Sequence, residues 1–68
     1  MKRGEIIEKI MNTCRCKDHE EAEGLLSEEM ETLAELCHMG QLRVQDFELA
    51  CARLGLPEEC ETYFYDML

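Results

Sequence analysis

Cysteine and histidine are the side chains whose types and spacing invite chemistry in this chain. Cys14, Cys16 and His19 fall close together, and Cys37 and His38 are adjacent farther on. Thiolates and imidazoles are soft ligands, and four of these five would suffice for a tetrahedral zinc site. The spacing argues against that use. Structural zinc sites usually present two Cys-x-x-Cys-like halves, whereas Cys14-x-Cys16 is a single, shorter one. The competing assignment makes Cys14, Cys37, Cys51 and Cys60 small core hydrophobes, because each falls on an apolar helical stripe. Cys16 falls off the stripes and is expected to be exposed. Arg15 and Lys17 beside it should lower its thiol pKa, which makes it the residue for a redox response or a disulfide-linked dimer. His19 and His38 would serve as bases only beside a placed nucleophile and an orienting acid. Glu20 and Glu21 follow His19, but no serine or cysteine is fixed next to it. The expectation is a protein without catalytic residues, cofactor or resident metal.

The elements that carry these residues are helical. Residues 4–14 place Ile6, Ile7, Ile10, Met11 and Cys14 on one face. Residues 15–18 are polar and read as a turn, and Asp18 with Glu21 reads as a capping box opening the next helix. Gly24 lies in that helix and predicts a break before Ser27, which would cap a new helix; a continuous helix over 19–39 is the alternative. Leu26, Met30, Leu33 and Cys37 share a stripe, with Glu28, Glu31 and Glu35 opposite. Gly40 supplies the left-handed residue that ends many helices, and Gly55 repeats it after the stripe Val44, Phe47, Ala50, Cys51 and Leu54. Pro57 opens a last helix with the stripe Leu56, Cys60, Tyr63, Phe64 and Met67. No period-two alternation suggests a strand. The expected fold is all-α: a small four-helix domain, residues 1–68, built around a central helical hairpin over residues 27–56.

The stretch MGQLRVQDFELACARLGL is similar to the second half of an EF-hand, with Gly40 as the turn glycine and Asp46 as the final acidic ligand. Cys37 and Met39 stand where that motif carries carboxylates, and calcium requires oxygen. The resemblance therefore implies helix–loop–helix geometry without calcium.

Charge narrows the partners. The 68 residues carry 16 acidic and 7 basic side chains, a formal net charge of −9. The split is uneven. Lys2, Arg3, Lys9, Arg15 and Lys17 outnumber Glu5 and Glu8 at the start, whereas fourteen of the acids follow, against Arg43 and Arg53. Such a surface repels phosphate backbones, so direct nucleic-acid binding is not expected. No apolar run has the length a membrane span requires. A basic start without an apolar core does not read as a secretory signal, so the chain reads as cytoplasmic, with reduced thiols. Leu49 and Tyr65 point away from their own stripes, and Leu68 is the last residue given. Together with Glu28, Glu31 and Glu35 they are the candidate partner-binding residues. The functional expectation is a non-enzymatic, acidic helical protein–protein interaction module, an adaptor or regulator for a partner with a basic surface, with homodimerisation through the exposed faces a further expectation. Two alternatives are a metal- or redox-responsive sensor built on Cys14, Cys16, His19, Cys37 and His38, and an acidic nucleic-acid mimic inhibiting a basic protein.

Overall fold

Apolar residues three and four apart give each segment one face to bury, and short polar turns fold those faces onto each other. In the computed structural model, which describes residues 2–68, the result is four α-helices and no strand among the described residues. Helix α1 spans Arg3–Cys14, α2 His19–His38, α3 Val44–Leu54 and α4 Glu61–Met67, the last entered through a 3-10 turn at Glu58–Cys60. The all-α expectation holds.

Helix α1 buries Ile6, Ile7 and Ile10. It ends at Arg15, whose left-handed φ of 52° costs a residue with a side chain roughly 1 kcal/mol. Asp18 then caps α2, its carboxylate accepting from the Glu21 N–H at 3.0 Å. The Glu21 carboxylate reaches back to the Lys17 N–H at 3.4 Å, one residue earlier than a regular capping box would place it.

The break expected at Gly24 is absent. Helix α2 runs through 20 residues, and Ser27 is an exposed interior position instead of a cap. Magnitudes explain the outcome. Gly24 costs the helix about 1 kcal/mol relative to alanine. Burial of Leu26 and Leu33, at roughly 1.5–3 kcal/mol each, outweighs it, and Asp18 already caps the true start.

Two glycines close the next helices as expected. Gly40 adopts φ 71° while its N–H donates to the Cys37 carbonyl and that of Gln41 to Leu36. Gly55 adopts φ 67° with the matching bonds from Gly55 to Ala52 and from Leu56 to Cys51. Both are Schellman motifs. The likeness to an EF-hand goes no further than two helices joined by a glycine turn. Residues 37 and 38 are still helical, and Asp46 lies inside α3 with its carboxylate accepting from the Arg43 N–H at 2.8 Å.

Helix α2 packs against both α1 and α3. Glu8 beside His19, and Arg3 beside the Leu26–Glu31 stretch, show α1 and α2 to be antiparallel. Helix α2 therefore continues past the first turn of α1. Arg53 on α3 meets Glu29 on α2 at 3.2 Å. Helix α4 returns along α3, with Tyr65 stacked on Phe47 at a ring separation of 4.1 Å. Phe64, Ile6, Ile10, Leu26, Leu33 and Cys60 form the innermost layer, and no polar or charged residue is buried among those described. Four positions expected in buried stripes are instead exposed: Cys14, Cys37, Val44 and Met67. All four lie in the first or last turn of a helix, where the neighbouring element no longer covers them.

Candidate functional site

The cysteine–histidine set is not assembled. Cys14, Cys16 and His19 sit around the α1–α2 turn, whereas Cys37 and His38 occupy the far end of α2. At 1.5 Å per residue, the 18 residues from His19 to Cys37 span roughly 27 Å of continuous helix. Among the described residues no three histidine, cysteine, aspartate or glutamate side chains come together in a way that could hold a metal ion. His19 is engaged by its neighbour, with Nε2 3.0 Å from Glu8 Oε1. The Cys14 thiol donates to the Leu54 carbonyl at 3.4 Å, which ties the end of α1 to the end of α3.

Cys16 departs from expectation. It is half-buried against the core, and its thiol is pushed up, not down. Desolvation is the largest cause, followed by the negative charges of Glu21, Cys14 and Asp18. Neither Arg15 nor Lys17 is among the causes of the shift. The inert thiols are Cys51 and Cys60, both buried as expected. Burial, then Cys60 and Glu61, pushes Cys51 up to about 11, and burial also raises Cys60.

The candidate binding residues fall on separate surfaces. Leu49 is 50% exposed, Tyr65 47% and Leu68 42%. Tyr65 is partly engaged by Phe47, and Leu49 lies about 200° around α3 from Phe47, so these two do not share one patch. Glu28, Glu31 and Glu35 are all exposed along one side of α2, and none of their carboxylates is paired among the described residues. Glu29, one residue from Glu28, is the acid of this helix that meets Arg53.

Two features are added by the structure. A groove of about 300 Å³ opens between the start of α1, the middle of α2 and the end of α4. Leu26, Met30, Tyr63 and Met67 give it an apolar floor, with Arg3 on one rim and Ser27 and Glu31 on the other. A second hollow, about 330 Å³, carries Glu48, Glu58 and Glu61 over Cys51 and Leu56. Desolvation and then the charges of Glu48 and Glu58 hold the Glu61 carboxyl above its ordinary range. Met30 and Met67 were visible in the sequence as stripe members; that one is half-buried and the other exposed depends on how the start of α1 and the end of α4 meet α2, which periodicity does not report.

No match was found among protein-family models, curated proteins or solved structures. No helix is long and apolar enough to cross a membrane among the described residues. The class defined by fold and surface is a small acidic all-α domain.

Proposed function

We propose that this chain is a non-enzymatic, acidic helical interaction module that binds a protein partner carrying a basic surface, working in the cytoplasm as an adaptor or regulator. The observation that carries this reading is the strip Glu28, Glu31 and Glu35. Like charges three and four residues apart on a helix oppose each other by roughly 0.2–0.5 kcal/mol per pair. Here they stand exposed and unneutralised on the longest helix. A partner's cations would relieve that repulsion and be steered to it from a distance. Apolar side chains exposed at Met39, Val44, Leu49, Tyr65, Met67 and Leu68 supply surface whose removal from water would hold a partner once it arrives.

The test is affinity capture from native cell extract by the wild-type chain and by the triple variant Glu28→Gln, Glu31→Gln, Glu35→Gln. The expected result is a protein retained by wild type, released at about 0.5 M salt where the Debye length falls to a few ångströms, and not retained by the variant. An identical set of proteins on both columns would remove the acidic strip from the reading. Native mass spectrometry of the wild type under reducing conditions checks the competing sensor: a stoichiometric metal would replace this proposal.

A further inference from the structure

Helix α1 ends between two thiols. Cys14 is its last residue, and Cys16 follows the left-handed Arg15. Arg15 holds φ 52° and ψ 48°, close to the ideal left-handed values. A residue in a helical conformation of either hand sets the Cα atoms on its two sides about 5.4 Å apart, the distance that two residues span on an α-helix of 1.5 Å rise and roughly 2.3 Å radius. Disulfides join Cα atoms roughly 4.4–6.8 Å apart. An extended residue at position 15 would separate its neighbours by about 6.6 Å, close to the upper limit. The turn from α1 to α2 thus brings these two cysteines to bridging distance. Cys37 lies at the far end of α2, and Cys51 and Cys60 are buried.

The paired thiols differ in access and in what they touch. Cys14 is exposed and its Sγ donates to the Leu54 carbonyl at 3.4 Å, whereas Cys16 is half-buried against the core. We propose that Cys14 and Cys16 form a reversible disulfide within the chain by exchange with a low-molecular-weight disulfide, and that the bridge loosens the end of α1 from the end of α3. The exposed Cys14, as thiolate, attacks one sulfur of that disulfide and expels the other as a thiolate. Cys16, as thiolate, then attacks Cys14 Sγ and expels the second half. The two protons shed by the cysteines pass through solvent to the two expelled thiols, and two electrons pass from the protein to the small molecule. Desolvation, then Glu21, pushes the Cys16 thiol up. That suits the second step, where proximity makes up for a small thiolate fraction. A bridged Cys14 has no proton to give, so the Leu54 carbonyl loses its donor. The site is separate from the acidic strip on α2 and does not depend on it.

The test is oxidised glutathione added to the reduced, intact chain, followed by alkylation and cleavage after lysine. Cuts after Lys9 and Lys17 release residues 10–17, which contain both cysteines. The expected product is this peptide lighter by two hydrogens, bearing neither glutathione nor an alkyl group, from a chain of unchanged oligomeric size. Dithiothreitol should restore both thiols. Cys16→Ser should stop at the first step and keep glutathione on Cys14. In the oxidised chain the backbone amides of residues 11–14 should exchange with solvent about threefold faster, in line with the loss of one weak hydrogen bond. A wild-type peptide 10–17 that keeps glutathione, takes up the alkylating agent or is joined to a second copy would overturn the bridge. A bridge that forms with amide exchange unchanged would overturn the loosening of α1 from α3.

Discussion

Glu61 shows how one side chain records the acidity of its surroundings. Its carboxyl is raised by desolvation and by the charges of Glu48 and Glu58. A raised folded-state pKa means that the fold favours the neutral form. The contribution is therefore complete below the unfolded pKa and lost as pH rises through the folded value. At pH 7 the ionised Glu61 weakens the fold. Glu61→Gln should raise the thermal midpoint at pH 7 and change it little below about pH 4, where the carboxyl is protonated in both states; an equal gain at both pH values would show that charge is not the cause. Cys16 teaches the converse about reading side chains from their neighbours in sequence. Arg15 and Lys17 promised an activated thiol, but contact with the core, and then Glu21 in the first turn of the next helix, push the thiol up instead. Flanking residues are visible in the chain; the residue brought back by a turn is not.

Among elements, the glycines separate three physical roles. A Cβ at Gly24 meets nothing within 4 Å, and the residue is helical. Gly24→Ala should therefore stabilise the protein by about 0.5–1 kcal/mol. Gly40 and Gly55 both hold positive φ, but a Cβ on Gly55 would also overlap the Thr13 side chain. Gly40→Ala should cost roughly 1 kcal/mol and Gly55→Ala about 2 kcal/mol or more, with Thr13→Ala recovering part of the second loss. Urea unfolding of the set measures all three, and equal costs at positions 40 and 55 would contradict the close approach of α1 to α3. Much of this layer was legible beforehand: the stripes of Ile6 and Ile10, of Leu26 and Leu33, and of Phe47 and Leu54 are the core. Periodicity gives the direction a residue faces around its helix. It does not give how far along the helix a neighbour extends, which is why Cys14, Cys37, Val44 and Met67 were assigned to the interior and are found outside. The break at Gly24 failed for a related reason, because a local propensity of about 1 kcal/mol was set against burial that only the assembled core reveals.

For the whole molecule, charge sets the balance. A net charge of −9 on a body whose principal extents are 35 × 20 × 18 Å makes the folded state repel itself. Raising salt from about 10 mM to about 150 mM shortens the Debye length from roughly 30 Å to roughly 8 Å and should raise the thermal midpoint; a fall would mean that Arg53–Glu29 and His19–Glu8 contribute more than the repulsion does. The candidate surface was half visible at this scale. The acids were countable from the chain, but the groove depends on how α1, α2 and α4 come together. The junction of Thr13 with Gly55, and of Cys14 with Leu54, bears on time as well as on strength. Each neighbouring pair of helices can meet by closing a short turn, whereas this junction brings together residues about forty apart in the chain. Loop closure makes such a meeting slower than the closing of a hairpin. Hairpin closure is therefore expected to precede both long-range meetings, the end of α1 on the end of α3 and the start of α1 beside Tyr63 and Met67 of α4.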